Sequence, residues 1–150
     1  MQIALESALE AEKLGEVPIG ACLINENGEI LAKAGNRTII ENDPTAHAEI
    51  LALRQAAAKI ENYRLLNSTL YTTIEPCAMC AGALVNARIK RLVYGAKDER
   101  FGAVETHFNI CNNPILNHKI EITSDVLASE CRQIMRDFFK KKRESNKLKT

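Results

Sequence analysis

His47-Ala48-Glu49 and, thirty residues on, Pro76-Cys77-Ala78-Met79-Cys80 constrain this chain more than any other feature. Together they hold one imidazole, two thiols and a carboxylate. Zinc favours nitrogen and sulfur donors, and a site with three protein ligands keeps a fourth position open for water, the arrangement of catalytic rather than structural zinc. A fold that uses both segments must bring them to one point. At 3.6 residues per turn, helix positions two apart point about 200° away from each other. His47 and Glu49 therefore approach one metal only if it lies beyond a helix end, over the first turn. A Cys-x-x-Cys pair opening a second helix meets the same point, because residues three apart share a face. Cys-x-x-Cys alone would suit a redox pair or half of a structural zinc site, and a closed structural site would need a fourth ligand, which His107, Cys111 or His118 could supply.

The surrounding pattern supplies the elements. Residues 3–14 place Ile3, Ala4, Ala8, Ala11 and Leu14 near one helical face. Residues 19–25 and 29–36 read as strands around Asn27-Gly28, a dipeptide suited to a tight hairpin. Asp43 and Pro44 read as the cap and first position of a helix carrying Ala46, Ile50, Leu53, Ala57 and Ile60. Residues 69–74 are rich in β-formers and lead through Glu75-Pro76 into a helix over 77–87, followed by a strand over 91–95. Strand, helix and strand in that order imply a parallel pair with a right-handed crossover. Glu75 would cap this helix or orient a ligand. Residues 96–117 have no readable period. A short strand over 119–123 and an amphipathic helix over 125–142, with Leu127, Cys131, Ile134, Met135 and Phe138 inward, complete the pattern. With no linker, repeat or low-complexity tract, the expectation is one domain over 1–150, an α/β sandwich with a mixed sheet of about five strands.

A chain of 150 residues with 46% hydrophobic content can bury a substantial core. No run of eighteen apolar residues and no basic-apolar-cleavage opening occurs, so a cytoplasmic protein without a membrane span or secretory signal is expected. The five cysteines, an odd number, argue against a disulfide framework, and Cys22, Cys111 and Cys131 read as small buried hydrophobes. Net charge is only +1, but residues 1–130 hold twelve Lys/Arg against seventeen Asp/Glu, whereas 131–150 hold eight against two. This basic terminus is either a solvated helix end or an electrostatic footprint for a polyanion.

H-x-E followed by P-C-x-x-C is the signature of zinc-dependent nucleobase deaminases. With Gly15-Glu16-Val17-Pro18-Ile19-Gly20-Ala21, Asp43-Pro44-Thr45-Ala46, Asn62-Tyr63-Arg64-Leu65, Thr69-Leu70-Tyr71, Glu75, Asn117-His118 and Phe138-Phe139, the chain resembles the tRNA-specific adenosine deaminases of the cytidine/deoxycytidylate deaminase superfamily. The chain opens at about the middle of what is usually that family's first helix. Residues 98–107 depart from the family, which commonly has a smaller stretch richer in Gly, Ala and Ser there.

The resemblance implies a cytidine-deaminase-like three-layer sandwich, a homodimer, and hydrolytic deamination of the wobble adenosine of a tRNA anticodon to inosine, with release of ammonia. His47, Cys77 and Cys80 would hold one Zn2+ per subunit, and Glu49 would shuttle protons between water, ring and departing amine. The resemblance places Asn36, which can donate and accept, in the base pocket; otherwise Asn36 is a strand-end turn residue. Phe138 and Phe139 cannot both face one core wall, so Phe139 is a candidate for stacking on a nucleotide. Lys97, Lys140, Lys142 and Arg143 are candidate phosphate contacts. An anticodon stem-loop suits such a site because its bases are already unstacked. Two alternatives stand beside this reading. One is a deaminase of free guanine, cytosine or cytidine, since the zinc signature does not choose the ring. The other is a zinc-stabilised RNA-binding module without activity.

Overall fold

The computed structural model describes residues 1–149. The elements run α1 (Gln2–Lys13), β1 (Gly20–Ile24), β2 (Ile30–Gly35), α2 (Ala48–Ile60), β3 (Thr69–Ile74), α3 (Ala78–Asn86), β4 (Arg91–Ala96), β5 (Glu121–Thr123) and α4 (Ala128–Lys147). They build a five-stranded mixed sheet in the order β2-β1-β3-β4-β5. β1 pairs antiparallel with β2 and β3, while β3, β4 and β5 are mutually parallel neighbours. Helices α2 and α3 touch each other, as do α1 and α4, so the sheet lies between two helical layers. The expected α/β architecture is the one observed.

Burial explains the layers. Ala21 and Leu23 of β1, Leu70 of β3 and Leu92 of β4 meet Ala52 and Leu53 of α2 and Leu84 of α3 in the larger core cluster. Each side chain buried in this way contributes roughly 1.5–3 kcal/mol when it is the size of Val or Leu. A smaller cluster, Leu5, Ile74, Ala96 and Cys131, joins α1 and α4 to the other side. Small residues let α1 lie directly on the sheet. A Cβ on Gly20 would sit 1.9 Å from the Ala4 carbonyl oxygen and 2.5 Å from the Ala8 nitrogen. Gly20→Ala must therefore push α1 off β1. It is expected to cost about 2 kcal/mol, read as a lower urea midpoint at unchanged m-value.

Several local expectations shift. The hairpin closes through Asn25, whose Oδ1 accepts from the N–H groups of Asn27 and Glu29 at 3.0 Å, with Gly28 at φ +80°. Asp43 and Pro44 do not open α2. The Asp43 carboxylate accepts from Thr45 N–H and Oγ1 at 2.8 and 2.7 Å, closing a local turn. The chain is extended at His47 (φ −73°, ψ 152°), and the helix begins at Ala48. Leu14 and Ile60, expected inward, are 53% and 41% exposed at their helix ends. Leu127 is likewise not inward: it is the left-handed N-cap of α4 and 38% exposed. Cys22, Cys111 and Cys131 are buried free thiols. No helix among the described residues is long and apolar enough to cross a membrane.

Candidate metal centre and active-site cavity

His47 is the N-cap of α2 and Cys77 the N-cap of α3, so the two strand-to-helix junctions deliver their side chains to one place. His47 Nδ1 lies 3.4 Å from Cys80 Sγ and 3.6 Å from Cys77 Sγ, and all three donor atoms lie within 4.8 Å of one another. A tetrahedral zinc with bonds of about 2.05 Å to nitrogen and 2.3 Å to sulfur holds such donors about 3.6 Å apart. The donor set and its spacing therefore fit zinc. The three other candidate donors stand apart. His107 Nε2 donates to the Glu99 carbonyl, His118 Nε2 donates to the Ile89 carbonyl at 2.7 Å, and Cys111 is in the larger core cluster.

The electrostatics favour a cation at this point. The Cys77 thiol is held down to about 4 by a hydrogen bond from Cys80, with help from His47 against the opposing effect of burial. The same contact and burial push Cys80 upward, so two adjacent thiolates need a positive neighbour. His47 is raised, chiefly by its hydrogen bond with Cys77.

Glu49, in the first turn of α2, is only 4% exposed. Its Oε1 accepts from Thr72 Oγ1 at 3.1 Å, and its Oε2 accepts from the Cys80 thiol at 3.6 Å. Burial raises its pKa above the usual carboxylate range. The carboxyl is thus fixed beside the three donors without being needed as a ligand.

His47, Glu49 and Cys77 line a cavity of about 960 Å³, and Asn36, Lys97, Phe139 and Arg143 line it too. Asn36 is buried, and its Oδ1 accepts from Ala48 N–H at 2.8 Å. Its amide nitrogen has no partner among the described residues. Phe138 is half-buried against Phe139, while Phe139 is 39% exposed. Lys142 lies over the Phe138 ring, and Lys140 is exposed.

Glu75 is not the helix cap that was one of its two expected roles, since Cys77 is the N-cap of α3 with no side-chain cap bond, and the carboxylate is taken up by a loop. Its Oε2 accepts from the N–H groups of Val104, Glu105 and Thr106 at 3.1, 2.9 and 3.0 Å, and Oε1 accepts from Asp98 N–H and Thr106 Oγ1. These bonds outweigh burial and hold its pKa below the usual value. Buried Glu16 does the same for another loop, accepting from Ile39 and Ile40 N–H at 2.9 and 2.8 Å and from Thr38 Oγ1, and Thr38 lines the cavity. Neither role has a local signature, because both carboxylates bind backbone more than twenty residues away. Arg132 and Arg136 were also missed, although their helical spacing from Phe139 and Arg143 was readable.

Known proteins resemble this chain over most of its length. The MafB19-like deaminase family profile matches residues 1–143. The tRNA-specific adenosine deaminase of Haemophilus influenzae is 53% identical over 99% of this chain and 86% of its own length. That of Streptococcus pyogenes serotype M1 is 40% identical over the same shares. Among solved structures, one from work on A-to-I editing by tRNA:A34 deaminases at the wobble position superposes with a TM-score of 0.86 at 44% identity, covering 89% of this chain and 96% of that one. Guanine deaminase from Nitrosomonas europaea stands further off, with a TM-score of 0.75 at 27% identity over 91% of this chain and 81% of its own. The chain belongs to the MafB19-like deaminases, and to the tRNA-specific adenosine deaminases among them.

Proposed function

We propose that this chain hydrolytically deaminates the wobble adenosine in a tRNA anticodon to inosine, with one Zn2+ per subunit held by His47, Cys77 and Cys80. The observation that carries the reading is the buried Glu49 carboxyl, fixed beside three zinc-compatible donors at the wall of one cavity. Zinc supplies Lewis acidity that brings the pKa of a bound water from about 15.7 to roughly 7. Glu49 takes the two protons of the attacking water in turn, delivering the first to N1 of the ring and the second to the departing amine. The water oxygen ends on C6 as the inosine carbonyl, and the exocyclic nitrogen leaves as ammonia. Thr72 holds Glu49 in place through its hydroxyl. The free amide N–H2 of Asn36 donates to a ring acceptor of the base, its oxygen being engaged by α2. Phe139 stacks on a nucleotide, and Lys97 and Arg143 meet phosphate at the cavity wall. The enzyme acts as a cytoplasmic homodimer with the anticodon stem-loop as its partner.

The test compares zinc-loaded protein on an anticodon stem-loop carrying a wobble adenosine with free adenosine, cytidine, cytosine and guanine. Inosine formation in the RNA, with no turnover of the free compounds, is expected. Turnover of the free compounds alone overturns the reading in favour of a nucleobase or nucleoside deaminase.

A further inference from the structure

Arg132, Arg136, Phe139 and Arg143 stand at i, i+4, i+7 and i+11 of α4, and all four line the cavity that holds His47 and Glu49. At 100° per residue they occupy about 60° of arc, one continuous stripe. The stripe does not hold the helix down. Cys131, Ile134 and Met135 do that, packed with Leu5, Ile74 and Ala96. The three arginines are exposed and have no hydrogen bond or ion pair among the described residues. Of the cavity's carboxylates, Glu75 is engaged with the loop over 98–106, Asp98 Oδ1 with the N–H groups of Arg100 and Phe101, and Glu49 with Thr72 and Cys80, while exposed Glu99 makes no ion pair with the arginines. A run of like charges along one helix face repels itself, and here no ion pair among the described residues offsets it. Arg132 and Arg136 are separated by about 6 Å along the helix axis, and Arg136 and Arg143 by about 10.5 Å. That spacing suits a chain of separated anions better than a single one.

We propose that Arg132 and Arg136, continuing through Phe139 to Arg143, form a rail that grips the phosphates flanking the target nucleotide and so makes an RNA strand, rather than a free nucleobase, the occupant of the cavity. The proposal rests on the function given above. Guanidinium forks bind phosphate oxygens bidentately, and an interleaved aromatic ring gives a neighbouring base a surface to stack on. A free base has no phosphate and gains nothing from the rail, whereas each gripped phosphate adds a contact that only a strand can make.

The experiment uses the full chain loaded with zinc, the anticodon stem-loop as substrate, and the double variant Arg132→Gln/Arg136→Gln. Michaelis parameters are measured across a range of salt, with thermal midpoint and zinc content checked for each protein. The KM for RNA is expected to rise at least about tenfold, with a smaller change in kcat. The log–log dependence of KM on salt should flatten by about 1.4, the value for two lost contacts to a single strand. Arg132→Lys/Arg136→Lys keeps the charges and should restore the slope, with only partial recovery of KM because the fork is gone. Lys90→Gln removes an exposed charge just before β4, at the opposite end of that strand from Lys97, and should change KM less than twofold. Parent-like KM and slope in the double Gln variant overturn the rail, as does an equal effect from Lys90→Gln. An inactive parent on RNA removes the functional reading itself, a result distinct from an active parent whose double variant is unaltered.

Discussion

Replacing Glu49 with Gln lowers turnover by at least about 10², the range that a positioned general acid–base group supplies, while leaving the fold and the bound zinc in place. The amide has the shape of the carboxyl, and its oxygen can still accept from Thr72 Oγ1, the contact made at 3.1 Å in the parent. It cannot take a proton from water or return one to the ring. Glu49 is not among the three clustered donors, so elemental analysis should find zinc at the parent's level. A zinc-stabilised binding module predicts something else, since it has no turnover to lose and the substitution would leave RNA affinity as the sole readout. A Glu49→Gln variant that folds, holds zinc and deaminates at the parental rate removes Glu49 from the chemistry. Loss of zinc together with activity would instead make it a ligand, and the open fourth position would disappear with it.

How much of this was legible beforehand depends on whether the determinants were local. The strand-to-helix junctions were readable because His47, Glu49, Cys77 and Cys80 sit in two short segments whose spacing only a pair of helix starts could reconcile. The sheet was readable from strands bounded by turn residues, and β3, α3 and β4 form the parallel unit expected. The start of α2 was misread, although Asp43 followed by Pro44 is a sound local signal. Asp43 is engaged with Thr45, and the α2 N–H at Ala48 is satisfied instead by Asn36, twelve residues upstream and on another element. Leu127 fits the apolar period of α4 yet takes the left-handed cap conformation, which turns it out of the face. Sequence period records where a helix could bury a side chain, not where the chain must turn to enter it.

The stretch over 96–117 gave no pattern in part because a distant side chain, Glu75, gathers Asp98, Val104, Glu105 and Thr106 within it, and this yields the second large expectation. Glu75→Ala should destabilise the protein by about 4 kcal/mol, read from the urea midpoint, and raise KM for RNA by loosening the rim that carries Lys97 and Phe101. Removing the carboxylate leaves the Val104, Glu105 and Thr106 N–H groups without their acceptor, at about 1–3 kcal/mol for the buried Val104 donor and less for the two part-buried ones. Water entering the gap would recover part of that sum, which is why the expectation lies below the simple total. Glu75→Gln separates charge from shape. One oxygen can still meet the three clustered N–H groups, but the amide nitrogen then opposes Asp98 N–H, so about 2 kcal/mol should be lost. Space is as tight as the hydrogen bonding, for a Cβ on Gly102 would lie 2.5 Å from the Glu75 carboxyl. Since Ala103 N–H also donates to the Pro76 carbonyl at 2.9 Å, the loop is pinned to the segment that carries Cys77. Loss of the Glu75 anchor should therefore reach the metal donors as well as the rim, and zinc affinity measured by chelator competition should fall in Glu75→Ala more than in Glu75→Gln. Equal stability of the parent and Glu75→Ala would mean that the loop over 98–106 is held by its own contacts, and that the buried carboxylate does not organise the cavity wall.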